Sequence, residues 1–129
     1  HMTIVPLKIN YEDERGLIMD LLSKHEINAA TIISFKKGAI RGNHFHKFTV
    51  QYNYIIKGSL KYVYQTGDEP IGEVILTTDN NSRLNYSEAM EKHAMIALEE
   101  TEMLVLTMGP RSGNDYESDT YRLEKPLIS

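Results

Sequence analysis

The residues most able to do chemistry lie between Gly38 and Gly58, in the run GAIRGNHFHKFTVQYNYIIKG. His44 and His46 stand one residue apart, and Gln51 follows five residues after His46. A third histidine, His93, opens a later apolar run. Of the five histidines, His1 reads as a cloning remnant together with Met2, because His-Met is a usual scar of tag removal. Side chains at i and i+2 of a strand project from the same face, so His44 and His46 converge on one point. Two converging imidazoles suit either a metal ion or proton transfer near neutral pH.

Three readings follow from these residues. In the first, His44 and His46 are acid–base groups that take and give a proton near neutral pH, and no cofactor is required. In the second, His44, His46, Gln51 and His93 are four ligands to one divalent transition metal, with Zn, Ni, Mn, Fe and Cu all suited to imidazole. Gln51 brings an amide oxygen without charge, so the ion would keep its full positive charge and acidify a bound water. In the third, the histidines only hydrogen-bond inside a pocket that holds a small molecule without turning it over.

These side chains need strands to hold them, and the chain reads as β throughout. Thr31–Phe35 is apolar and β-branched. Val50, Tyr52, Tyr54 and Ile56 alternate with Gln51, Asn53 and Ile55, which turns Gln51 away from the Val50 and Tyr52 face. Gly58 marks a tight turn into Ser59–Gln65. Further strands are expected at Glu73–Thr78, Ala94–Leu98, Glu102–Met108 and Thr120–Leu123, separated by the turn clusters TGDEP and DNNS and the loop GPRSGND. Short helices are expected at Leu17–His25 and at Ser87–Lys92, where serine can cap the run. Many short strands at this spacing predict an all-β sandwich or barrel. Met90, Met95, Met103 and Met108 read as barrel filler, and Asp115, Glu117 and Asp119 as a solvated acidic loop.

Length and composition bound the rest. A chain of 129 residues predicts a single domain, 1–129. The net charge of −4 gives no electrostatic footprint for nucleic acid or an anionic membrane. Cysteine is absent, which excludes disulfides and thiolate metal sites. No apolar run approaches the length needed to span a bilayer, and no signal-peptide pattern appears. A cytoplasmic protein is the expectation, acting on a small molecule.

The spacing Gly38-x5-His44-x-His46-x4-Gln51-x6-Gly58 resembles the first motif of the cupins, with Gln51 where glutamate is usual. SEAMEKHAMIAL resembles the second motif at His93, without its Pro-Gly turn. The resemblance implies a double-stranded β-helix (jelly-roll) barrel. More of the chain is similar to one cupin branch, the dTDP-4-dehydrorhamnose 3,5-epimerases and dTDP-sugar 3,4-ketoisomerases. Asp13-Glu14-Arg15-Gly16 resembles that branch's D-x-R-G, RGNHF its R-G-x-H-F, and RGNHFHKFTVQ its R-G-x-H-x-H-K-x-x-x-Q. The branch implies a keto-sugar isomerase or epimerase of polysaccharide biosynthesis, working on a nucleotide sugar. It implies His44 as base, His46 as second acid–base group and Gln51 as an orienting contact. Arg41 is a candidate diphosphate contact, because a guanidinium fork matches phosphate geometry. Lys47 is a candidate substrate contact, although a solvated strand-end lysine is the plainer reading. The relatives imply a homodimer.

Overall fold

The computed structural model describes residues 2–111 and 113–129, so the remnant His1 and Ser112 of the 109–115 loop lie outside it. The described strands, in chain order, are β1 (Thr3–Val5), β2 (Tyr11–Asp13), β3 (Gly16–Ile18), β4 (Ala29–Phe35), β5 (Ile40–Phe45) and β6 (Val50–Lys57). They continue as β7 (Leu60–Gln65), β8 (Gly72–Leu76), β9 (Leu84–Ser87), β10 (Lys92–Ala97), β11 (Thr101–Met108) and β12 (Tyr121–Arg122). One five-stranded sheet has the order β1-β9-β6-β11-β4 and a second the order β12-β5-β10-β7-β8, every pairing antiparallel. The expected jelly-roll barrel is therefore the observed architecture.

Alternation explains which face is buried. Gln51, Asn53 and Ile55 of β6 point inward, while Tyr52, Tyr54 and Ile56 are only partly covered. Phe35, Ile55, Leu60, Tyr62, Leu76, Met95 and Met103 pack together between the sheets. Strands β6 and β7 are consecutive but belong to opposite sheets, so Gly58 carries the chain across the barrel rather than closing a hairpin. Its φ of 89° and the backbone of Glu100 and Thr101 against it leave no room for a side chain. Tyr52 and Tyr54 of β6 therefore lie in one sheet and Tyr62 and Tyr64 of β7 in the other. Tyr52 packs on Tyr86 of β9 with ring centroids 5.0 Å apart, and Tyr62 lies near Tyr64 inside the other sheet.

Neither expected helix forms. Gly16–Ile18 is captured by Tyr11–Asp13 in a two-stranded hairpin, and the remainder of the 17–25 run is irregular. Arg15 in its turn pairs with Asp13 at 2.6 Å. The SEAMEK run is too short to nucleate a helix against competing strand pairing. Ser87 ends β9, paired with Gln51, and Lys92 begins β10. Between them Met90 adopts φ 70° and is 57 % exposed, so it is not core filler. It stands where the missing glycine of the second motif would be, and supplies the left-handed turn at the cost of strain.

Candidate active site

Strand β5 and the residue after it carry two of the three histidines. Gly42 and Asn43 both have positive φ, 88° and 57°, at a register shift opposite β10. A Cβ on Gly42 would sit 2.9 Å from the His93 carbonyl oxygen, so both the space and the φ demand glycine. Asn43 tolerates the left-handed conformation and fastens the C-terminal segment. Its amide oxygen accepts the N–H groups of Leu127 and Ile128, and its Nδ2 donates to the Ile128 carbonyl. The bulge leaves His44 directly opposite His93 on β10 and Arg122 on β12. The strained turn before His93 bonds to the same region, because the Met90 N–H donates to the His46 carbonyl at 2.6 Å.

The three rings converge. Centroids lie 4.8 Å apart for His44 and His46, 4.6 Å for His44 and His93, and 5.3 Å for His46 and His93. His46 Nδ1 lies 2.9 Å from the Asp119 carbonyl oxygen, and His93 Nδ1 lies 3.3 Å from that of Glu91. A carbonyl can only accept, so each neutral ring carries its hydrogen on Nδ1 and leaves a lone pair on Nε2. Both Nε2 atoms, and Nδ1 of His44, are buried without a hydrogen-bond partner. Burial, then the neighbouring His46 and Arg122, lowers the His44 ring from its ordinary value to about 4. Burial, then His44 and His46, holds His93 well below the usual imidazole range. Burial also lowers His46, against the pull of the Asp119 carbonyl and carboxylate. At neutral pH the site presents three uncharged imidazoles, with the Nε2 lone pairs of His46 and His93 free of a hydrogen-bond partner.

Gln51 faces them from the other sheet and lines the same cavity of about 550 Å³ as His44 and His46. Its orientation follows from a buried polar ladder. Asn53 Nδ2 donates to Asn85 Oδ1 at 2.9 Å, so Asn53 turns its own oxygen to Gln51 Nε2 at 3.2 Å. The Gln51 oxygen is thereby the end left for a donor in the cavity. The ladder continues through Ser87 to the Tyr62 hydroxyl. Tyr62 stacks on His93 with centroids 5.9 Å apart, and complete burial raises its hydroxyl above the ordinary tyrosine value.

Arg41 lines the cavity and donates to the Ser34 carbonyl through Nε and an NH2 group at 3.3 and 3.0 Å. Sequence reasoning missed Arg111 and Arg122, which line the same cavity. Arg111 bonds Thr31 Oγ1 at 2.8 Å, and Arg122 pairs with Glu117 at 2.9 Å. Their only sequence signal is membership of the loop and tail that follow β11. Lys47 does not line this cavity. Its ammonium sits 4.3 Å above the Tyr121 ring, because the residue after His46 turns outward. His25 is exposed, as its polar surroundings suggest, with its ring edge toward Tyr52. Asp119 is not solvated but 5 % exposed, and Tyr116 is the tyrosine on the cavity wall among the described residues.

Comparison with known proteins agrees with this fold. A family model described as the polysaccharide biosynthesis C-terminal domain matches residues 11–121. No curated protein matches the sequence. The fold is similar to a sugar 3,4-ketoisomerase of Thermoanaerobacterium thermosaccharolyticum solved with TDP, at 22 % identity and a TM-score of 0.77, covering 95 % of this chain and 88 % of that one. It is similar to a TDP-fucose 3,4-ketoisomerase of Campylobacter jejuni, at 20 % identity and a TM-score of 0.75, covering 92 % and 87 %. An epimerase of Mycobacterium tuberculosis superposes with a TM-score of 0.76 at 18 % identity, covering 94 % of this chain and 68 % of the other.

Proposed function

Because the chain belongs to the polysaccharide biosynthesis C-terminal domain family, we propose that it is a nucleotide-sugar isomerase of the 3,4-ketoisomerase type, with 3,5-epimerisation as the related outcome. The observation that carries this reading is the pair of neutral imidazoles, His44 and His46, on the wall of a cavity that also bears Arg41, Arg111 and Arg122, with His93 buried behind them. Guanidinium groups suit a diphosphate, and the structural neighbour solved with TDP has the same fold.

The chemistry then uses the chain's own groups. A 4-keto sugar has an acidic hydrogen on C3. His44 takes that proton, and the C3–H electron pair becomes the double bond of an enediolate whose charge rests on O4. Returning a proton to C4 and moving the O3 hydrogen to O4 yields the 3-keto sugar, with atoms and charge balanced. His46 is the second group on the same face and serves the return step. The Gln51 oxygen accepts a sugar hydroxyl and fixes the ring. A base lowered to about 4 is weak, but it needs no prior deprotonation at neutral pH, and the cavity can position the carbon acid against it. Incubation with dTDP-4-keto-6-deoxyglucose should give a new keto sugar by proton NMR, and His44→Asn should remove turnover while dTDP still raises the melting temperature. An unchanged rate in that variant would sink the assignment.

A metal reading is kept for one observation. One nitrogen from each of His44, His46 and His93 lies within 4.8 Å of the other two. These donors, with Gln51, fit a borderline divalent ion by type. Elemental analysis of protein purified without nickel resin or chelator separates the two. One equivalent of metal per chain favours the ion, and none favours acid–base chemistry. We also propose a homodimer, because Tyr11, Leu17 and Ile18 of the β2–β3 hairpin are exposed and an isolated hairpin is marginally stable. Light scattering during gel filtration reads this directly.

A further inference from the structure

The segment after β11 closes over the cavity through Arg111, Tyr116, Glu117 and Thr120. Asp119 lies within it and is buried although Glu117 and Ser118 beside it are exposed. Its carboxylate reaches back to the turn that follows His46. One oxygen accepts the Lys47 N–H at 3.0 Å, and the other accepts those of Phe48 and Thr49, each at 2.8 Å. Its carbonyl meanwhile accepts Nδ1–H of His46 at 2.9 Å. One residue therefore holds the backbone after His46 with its side chain and the His46 ring with its main chain.

We propose that Asp119 is a positioning residue that selects the His46 tautomer, keeping hydrogen on Nδ1 and the Nε2 lone pair turned to the reacting sugar. What each group can accept or donate decides the tautomer. Three successive N–H groups converging on one carboxylate form a charge-assisted clamp. The clamp fixes where the Asp119 carbonyl lies, and a carbonyl admits only a donor. The ring nitrogen on the far side is then obliged to present its lone pair, and that nitrogen is buried without a partner. The turn is backed from the opposite side. A Cβ on Gly109 would fall 2.7 Å from the Thr49 Cα, and Thr49 itself is 2 % exposed. Seating the tail and preparing His46 are one event in this arrangement.

The inference depends on the isomerase reading for its kinetic consequence but not for its structural one, and the experiment keeps the two apart. Long-range proton–nitrogen NMR of the ¹⁵N-labelled full chain assigns the His46 tautomer without any substrate. The wild type should show a protonated Nδ1 and a bare Nε2. Asp119→Ala should show mixed tautomers at His46. With dTDP-4-keto-6-deoxyglucose it should lose about 10²-fold in kcat while KM stays within about twofold, the pattern of a misplaced catalytic group. Asp119→Asn keeps one accepting oxygen and should fall between the two. A folded Asp119→Ala protein with wild-type kcat and an unchanged His46 tautomer would overturn the proposal. If that variant does not fold, the wild-type spectrum still decides, because hydrogen on Nε2 of His46 overturns it alone. A wild type with the expected tautomer and no activity on any keto sugar would leave Asp119 as assigned and refute the isomerase reading.

Discussion

Acidification from pH 7 to pH 5 should destabilise this protein through its site histidines. Above pH 6.5 the His44 ring is neutral in both the folded and the unfolded chain, and it contributes no penalty. As pH falls through 6.5 the unfolded ring takes up a proton that the folded ring refuses until pH nears its own value of about 4. Stability is thus lost across that window. From pH 7 to pH 5 the linkage amounts to about 2 kcal/mol for His44 alone. His93, held lower by burial and its two neighbours, adds a loss of the same sign. Burial raises the Glu91 carboxyl, so Glu91 works in the opposite sense and a single acid titration would blur the effect. A difference measurement removes it. Urea unfolding of chelator-treated wild type and His44→Asn at pH 7, 6 and 5 should show the variant gaining about 2 kcal/mol relative to wild type over that range. Parallel stability curves for the two proteins would refute the reasoning, because His44 would then titrate alike in both states.

Other perturbations test other parts of the structure. Met90→Gly should stabilise the protein by about 1 kcal/mol, since glycine relieves the left-handed turn and Met90 is largely exposed, and a melting temperature higher by about 3–5 °C would register it. Arg111→Ala should raise KM for a dTDP-sugar by about tenfold with kcat little changed, if its guanidinium binds the diphosphate; steady-state kinetics separate the two constants. Asn53→Leu should cost about 1–3 kcal/mol by leaving the Gln51 and Asn85 amides unpaired in the barrel, read as a lower urea midpoint.

The parts of this account that were legible in the sequence are those written in local periodicity. The i and i+2 spacing of His44 and His46 and the alternation that turns Gln51 away from Val50 and Tyr52 both follow from the two-residue repeat of a strand; that this side faces the barrel interior came from the fold. Gly38 and Gly58, which bracket the motif, both have the positive φ that glycine supplies. The missing Pro-Gly turn signalled that the approach to His93 is built differently, and Met90 shows how. What escaped depends on distant partners. Asp119 reads as a solvated acid among Glu117 and Ser118, and only the return of the tail gives it three N–H groups from about seventy residues away. Arg111 and Arg122 reach the cavity by the same closure. The helix expected over Ser87–Lys92 was overridden by Ser87 pairing with Gln51 across the sheet, and the one over Leu17–His25 by the β2–β3 hairpin.

The central claim is that a site histidine moves a proton at a sugar carbon. The measurement that meets it most directly is solvent exchange at that carbon. Metal-free protein is incubated with dTDP-4-keto-6-deoxyglucose in D₂O and the sugar is followed by proton NMR. The account predicts loss of the C3 proton signal with deuterium appearing at C4 of the product, and neither change with His44→Asn. Retention of the C3 proton with wild-type protein, or the same exchange rate in the variant, would contradict it.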